Sequence, residues 1–287
     1  MHSTAMRNMT GIDMKTIIFS DGSRICAIGQ GTWNMGRNPS GRKEETAALL
    51  AGIEMGMTMV DTAEMYDNEE FIGRAIGGVR DRVFLVSKVH PSHADYRGTI
   101  RACEKSLRKL NTDYLDLYLL HWKSRHPFSE TIGAMTELQR SGKIRMWGVS
   151  NIDVPDMEDI ENIPGGYACD ANQVLYNLQE RGVEYDLIPW ARQYEMPVIA
   201  YSPIGEGKLK DSLVLKKVAK KHGATPVQIA LAWTIRLPGI IAIPKAGTVE
   251  HVRENFGALS LSLDADDLKM LDAAFPPPTH KIPLAGW

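Results

Sequence analysis

Cysteine is scarce in this chain: Cys26, Cys103 and Cys169 are the only three among 287 residues, widely spaced and without a Cys-x-x-Cys pair. An odd, scattered set excludes a disulfide framework and fits reduced thiols in a cytoplasmic protein. Long hydrophobic runs are missing as well. No apolar stretch reaches the ~18 residues that a membrane span needs, and the most hydrophobic helical segment, 47–60, is broken by Glu54 and Gly56. Charge of one sign is also lacking, since 33 Lys and Arg against 35 Asp and Glu leave a net −2. That balance offers no attraction to nucleic acid or an anionic membrane. Residues 1–14 carry His2, Arg7 and Asp13 but no continuous apolar core. They are expected to form a flexible leader rather than a signal peptide, ahead of a single domain over 15–287.

What is present is a regular rhythm. A hairpin comes first: Thr16-Ile17-Ile18-Phe19, a turn at Asp21-Gly22, then Arg24-Ile25-Cys26, with Asp-Gly between β-branched and aromatic residues as the turn signal. Short runs rich in Val, Ile and Leu then alternate with longer amphipathic segments. The expected strands are 28–32, 57–61, 83–88, 115–121, 144–150, 171–175, 198–202 and 240–244, and the helices between them include 43–54, 99–110, 128–140, 157–163 and 185–194. Eight strands separated by helices imply a parallel sheet with crossovers. Continuous apolar runs such as Val83-Phe84-Leu85-Val86 suit strands covered on both faces. An open doubly wound sheet shares this rhythm, but Gly29-Gln30-Gly31-Thr32-Trp33 lacks the third glycine of a dinucleotide fingerprint. The expected fold is therefore a closed (β/α)8 TIM barrel, which typically takes ~250 residues. Prolines at 276–278 end the last helix, and a tail with Ile282, Leu284 and Trp287 is expected to dock near the mouth of the barrel.

Barrel enzymes keep their chemistry at the C-terminal ends of the strands. Three consecutive apolar runs close there on an ionisable residue: Asp61, Lys88 and His121. Buried charges are costly unless paired, and Asp61 and Lys88 pair if their strands are neighbours. The cluster suits acid catalysis near neutral pH. A tyrosine with its ordinary pKa of ~10 is a poor donor, and a lysine beside the hydroxyl lowers that value. Tyr66, in the loop after Asp61, supplies the phenol; a neutral His121 orients a carbonyl oxygen. None of these groups provides hydride, so a cofactor must. Taken singly, each residue has a plainer reading: an ion pair at the rim, a core histidine, a loop aromatic. His90, His93, His121 and His126 raise a metal site, but only His121 closes a strand and no His-x-x-x-His pair exists, so no metal is expected.

The residues resemble a known family. Gly31-Thr32-Trp33, Asp61-Thr62-Ala63-x-x-Tyr66, Val86-Ser87-Lys88, Asp116-Leu117-Tyr118-Leu119-Leu120-His121-Trp122, Gly148-Val149-Ser150-Asn151, Gln173, Tyr201-Ser202-Pro203 and Ile243-Pro244-Lys245 occur in this order. Together they make the chain similar to the aldo-keto reductases from about residue 15 onward, and to bacterial methylglyoxal-reductase-like members among them. The resemblance implies a catalytic tetrad of Asp61, Tyr66, Lys88 and His121, with Tyr66 as the acid, and an NADPH site. Ser150, Asn151 and Gln173 would hold the carboxamide, Tyr201 would stack on the ring, and Ser202 and Ile204 would meet the pyrophosphate. Lys245 would pair with the 2′-phosphate. Gly31, Thr32, Trp33, Asp61, Pro203, Ile243, Pro244, Ala246, Thr248, His251, Glu254 and Asn255 complete the implied cofactor contacts. Two positions depart from the family pattern: Ala246 stands where serine is frequent, and His251 where arginine is. Loss of a hydroxyl and a permanent cation weakens 2′-phosphate recognition, each contact being worth ~1–3 kcal/mol. NADH is therefore expected as a second cofactor. Trp33, Tyr66, His121, Trp122 and Trp287 are the implied substrate walls, and a short loop over 123–129 implies an open pocket for small or varied aldehydes.

The expected function is NADPH-dependent reduction of aldehydes and ketones by a cytoplasmic monomer, with a small carbonyl compound as partner and neither nucleic acid nor membrane. Two other readings stand beside it. One is a nicotinamide-binding regulatory or redox-sensing subunit with little turnover, which has no need of an acid and its tuning lysine. The other is a lyase with Lys88 as Schiff-base nucleophile, which requires a deprotonated amine that a neighbouring Asp61 opposes.

Overall fold

The computed structural model describes residues 6–7 and 13–286. Eight short apolar strands run parallel: β1 (Gln30–Gly31), β2 (Met59–Asp61), β3 (Phe84–Val89), β4 (Leu115–Leu120), β5 (Ile144–Ser150), β6 (Cys169–Leu175), β7 (Val198–Tyr201) and β8 (Ile240–Ala242). Each hydrogen-bonds to its sequence neighbour. The ends also meet. Gly29 N–H donates to the Ala242 carbonyl at 2.8 Å, Gly31 N–H to Pro244 at 3.1 Å, and Ala242 N–H to Ala27 at 2.8 Å. The sheet is thus closed into the expected barrel, with no free edge.

The first strand is shorter than 28–32, and the eighth shorter than 240–244. The closing contact explains it. A Cβ at Gly31 would sit 2.6 Å from the Ile243 carbonyl oxygen, so the backbones approach too closely there for a regular ladder to continue. β3 and β4 are buried along their whole length, and β5 at every position but Arg145, as their largely apolar runs require.

Ten helices surround the barrel among the described residues: α1 (Arg42–Met55), α2 (Glu69–Ile76), α3 (Tyr96–Leu110), α4 (Phe128–Arg140), α5 (Val154–Glu161), α6 (Leu187–Gln193), α7 (Leu213–His222), α8 (Pro226–Thr234), α9 (Val249–Gly257) and α10 (Ala265–Ala274). Local chemistry sets their ends. Gly56 stops α1 with φ of 99°, a conformation costly for any residue with a side chain. Thr225 and Gln228 form a reciprocal capping box at the start of α8, just before Pro226. No helix among the described residues is long and apolar enough to cross a membrane.

Two cores result. Met59, Val86, Leu117, Leu119, Met146, Ile199 and Ile241 fill the barrel, while Leu49, Ile72, Leu107, Met135, Trp147 and Trp233 pack strands against helices. Full burial of each such side chain is worth about 1.5–3 kcal/mol. The hairpin pairs Thr16–Ile18 with Arg24–Cys26 and closes the N-terminal end of the barrel. Its Ile17, Phe19 and Ile25 join the interior core, and Phe19 lies 4.9 Å from the Phe84 ring. Lys15 adds a bond from its ammonium to the Ile235 carbonyl. Cys26, Cys103 and Cys169 are buried and unbonded to one another.

At the other end, the tail docks. Lys281 reaches Asp153 at 2.5 Å and Asp186 at 2.6 Å, Leu284 packs on the outer core, and Ile282 lies over Gly182. Asp153 begins α5, three residues beyond the end of β5, so the tail crosses the C-terminal face of the barrel. Trp287 lies outside the described residues, as does most of the leader expected over 1–14. Within that leader Met6–Arg7 pairs antiparallel with Asp13–Met14.

Candidate functional site

Side chains alternate along a strand, so one parity faces the barrel interior. On β3 that parity holds Phe84, Val86 and then Lys88; on β4 Leu117, Leu119 and then His121; on β5 Met146, Gly148 and then Ser150. The lower members belong to the barrel core. The last inward layer changes from apolar to polar: Asp61, Lys88, His121, Ser150, Gln173 and Tyr201. Alternation continued past an apolar core carries these residues to one floor at the C-terminal mouth.

Lys88 sits at its centre with 0 % exposure. Its ammonium donates to Asp61 Oδ1 at 2.6 Å and to the Thr62 carbonyl at 2.8 Å, and lies 5.0 Å from the centroid of the Tyr66 ring. Burial opposes the charge, but Asp61 and Tyr66 outweigh it and hold Lys88 above the ordinary lysine value. Asp61 Oδ2 accepts a bond from Gln173 Nε2 at 2.7 Å, so Gln173 orients the carboxylate that fixes the lysine.

Tyr66 closes a 3₁₀ turn, Glu64–Tyr66, after β2. Its ring lies 5.8 Å from that of His121, edge-on. The expectation that Lys88 would bring the phenol below its ordinary pKa is corrected here. Burial raises it, Lys88 opposes the rise and Asp61 adds to it; the net direction is up. Desolvating a phenolate costs more than one ammonium already shared with a carboxylate returns. The phenol is therefore protonated at neutral pH, as a donor must be. His121 is neutral: burial first, then the charges of Lys88 and His90, press its pKa down to about 2. Its buried Nδ1 has no protein partner.

Beside this floor, Asn151 Nδ2 donates to the His121 carbonyl at 3.2 Å and to Ser150 Oγ at 3.1 Å, while its Oδ1 accepts from the Tyr201 hydroxyl at 3.0 Å. Asn151 and Ser202 both have positive φ, 56° and 47°. Strain of this kind in non-glycine residues clusters at functional sites. Thr32 is turned inward, its hydroxyl on the Asp61 carbonyl at 2.8 Å, and Asn68 ties the Thr32 and Thr62 loops together. Trp33 is 47 % exposed at the rim.

The loop after β8 gathers the other expected residues. Ile243, Pro244, Ala246 and Asn255 are buried, as is Pro203 after β7, and Ile204 is half-buried. Thr248 caps α9, its hydroxyl accepting the His251 N–H at 3.2 Å. His251 is exposed, and Glu254 is half-buried. Lys245 is partly exposed and lies 3.7 Å from Glu45.

Two neighbouring carboxylates, Glu64 and Glu69, are not singled out by the sequence. Glu64 accepts the His90 N–H and pairs with His93 Nδ1 at 3.1 Å. His90 then meets the Trp122 ring edge-on at 5.0 Å, and Trp122 meets His121 at 4.9 Å, making one aromatic wall. Glu69 on α2 is buried behind Lys88, accepting from Ser87 Oγ at 2.8 Å, and burial pushes its carboxyl pKa up. Only tertiary neighbours distinguish such residues from ordinary helix-surface acids. Among the described residues, no group of three or more His, Cys, Asp or Glu side chains is gathered as metal ligands would be.

Comparison with known proteins gives the lineage. Residues 27–275 match the Aldo/keto reductase family. The chain is 50 % identical over 281 residues to methylglyoxal reductase YeaE of Escherichia coli, covering 95 % of this chain and 99 % of that one. It is 34 % identical to the glyoxal reductase of Bacillus subtilis, covering 80 % and 83 % respectively. An aldo-keto reductase of Klebsiella pneumoniae, solved in complex with NADPH, superposes with a TM-score of 0.93 at 48 % identity, covering 96 % of this chain and 99 % of that one. The chain belongs to the aldo/keto reductase family.

Proposed function

We propose that this aldo/keto reductase reduces small aldehydes and ketones to alcohols with NADPH, and that Tyr66 gives the proton. The observation that carries the reading is the buried ammonium of Lys88, held by Asp61 and the Thr62 carbonyl and 5.0 Å from the centroid of the Tyr66 ring. A pure nucleotide binder has no use for a phenol held against a buried cation.

The residues fit the cofactor. His121 Nδ1 is a buried polar atom without a protein partner. Asn151 and Ser150 put an amide and a hydroxyl on the floor beside the Tyr201 ring, and these groups suit a carboxamide and the ring that bears it. A reduced nicotinamide, when bound, supplies hydride. The rest falls to the chain. His121, held neutral, offers a hydrogen bond to the carbonyl oxygen and fixes its direction. Tyr66 Oη passes its proton to that oxygen as negative charge develops there. Lys88 stabilises the phenolate left behind, and Asp61, steadied by Gln173, keeps Lys88 charged and in place. Trp33 and Trp122 wall the mouth and exclude water.

The activities of the relatives, methylglyoxal reductase and glyoxal reductase, support a small reactive dicarbonyl as substrate. A monomeric cytoplasmic protein, with 15–287 as one domain, is the finer part of the same reading. The test is loss of NADPH absorbance with methylglyoxal, glyoxal and aromatic aldehydes. Tyr66→Phe is expected to lower kcat by about 10²–10⁴-fold, the contribution of a positioned general acid, with little change in NADPH affinity. NADPH binding without reduction of any carbonyl would favour the regulatory-subunit reading. A borohydride-trapped adduct on Lys88 would favour the lyase, which the raised pKa of Lys88 opposes.

A further inference from the structure

Lys245, the cation that faces the 2′-phosphate in the cofactor reading, does not stand alone. Its Nζ is 3.7 Å from Oε1 of Glu45 on α1, with side-chain exposures of 41 % and 15 %. Glu45 is a held group. Its Oε2 accepts the Gly36 N–H at 2.7 Å, and the Gly36 carbonyl accepts from Arg42 Nε at 2.7 Å. Carboxylate, loop and first helical turn thus form one unit. The loop has little freedom to carry Glu45 away: Gly36 has φ of 76°, and a Cβ there would meet the Phe71 ring at 2.7 Å. The pair lies over the loop that leads into α9, where a Cβ on Gly247 would be 3.2 Å from Lys245 Nζ and 4.0 Å from Glu45 Cγ. Nearby, Ala246 brings no hydroxyl, and the exposed His251 brings no permanent cation.

An ammonium and a carboxylate at one nucleotide-reading position have opposite preferences. A phosphate is drawn to the ammonium and repelled by the carboxylate. A free ribose 2′-hydroxyl is a donor that a carboxylate accepts, which is how acidic residues select NADH in dinucleotide folds. We propose that Glu45 and Lys245 together read the adenosine 2′ position in both forms, so that the protein accepts NADH beside NADPH. Glu45 is the residue that holds down the preference for the phosphate. The inference rests on the nicotinamide reading above and concerns only the adenosine end.

The adenosine end is tested without turnover. Calorimetric titration with 2′,5′-ADP and with 5′-ADP reads the 2′ position alone, in the full chain and in Glu45→Gln, Glu45→Ala and Lys245→Met. Gln retains an acceptor for the Gly36 N–H, and Ala is the second variant should Gln disturb the loop. Removing the carboxylate is expected to shift the ratio of the two dissociation constants about tenfold toward 2′,5′-ADP, the scale of one charge at this range. Lys245→Met is expected to shift it the other way. If both Glu45 variants leave the ratio within twofold, Glu45 does not read the 2′ position and the inference is overturned, whether or not Lys245→Met moves it. If neither nucleotide binds and NADPH itself does not bind, the cofactor reading falls and takes this one with it.

Discussion

His121 governs how the folded protein meets acid. Its pKa of about 2 in the folded chain, set first by burial and then by Lys88 and His90, compares with an ordinary value of 6.5. As pH falls below that ordinary value the unfolded chain takes up a proton that the native imidazole refuses. Stability is therefore full above the unfolded pKa and drains away below it, at up to about 1.4 kcal/mol per pH unit. His121→Gln is expected to flatten the acid limb of the stability curve, followed by denaturant unfolding between about pH 4.5 and pH 6.5. Parallel curves for the two proteins would show that the imidazole is not buried neutral. At this scale the sequence was legible where chemistry interrupts a pattern. Asp61, Lys88 and His121 close apolar runs, and a charge there is conspicuous. Glu45 and Glu64 were not legible, because nothing local separates them from solvated acids. Gln173 is a candidate from sequence, but its bond to Asp61 spans the barrel and leaves no mark on spacing.

Elements begin where a side chain can satisfy the first turn. Periodicity alone placed one helix at 157–163; the structure begins it at Val154, because Asp153 accepts the Val154 N–H at 2.8 Å and Pro155 suits the first turn. The same carboxylate holds Lys281 of the tail. Asp153→Ala is expected to cost about 1 kcal/mol through the lost cap. It is also expected to speed proteolysis of 276–286, as is Lys281→Ala. Tail cleavage at the parental rate in both variants would mean that the tail is held by Ile282 and Leu284 alone. The sequence shows the observed ends of 128–140 and 144–150, since an amphipathic helix and a strand buried at every position but Arg145 have sharp composition boundaries. The first and last strands were overread, because the sequence does not show how closely Gly31 approaches Ile243 when the barrel closes.

The whole molecule divides its work between two ends. The hairpin end is apolar and load-sharing; the opposite end carries the polar floor. Phe19→Ala is expected to cost about 3–5 kcal/mol of stability, while NADPH affinity and kcat measured well below the melting temperature stay within twofold. A large change in either would show that the plug at one end tunes the floor at the other. The same depth of packing has a consequence for the thiols. Burial pushes Cys26 up to about 11 and Cys103 and Cys169 up to about 12, so that thiolate is at most about one part in ten thousand at neutral pH. Thiolate is the form that attacks soft electrophiles. The folded chain thus offers carbonyl electrophiles almost no sulfur nucleophile, and resists covalent inactivation at those three positions.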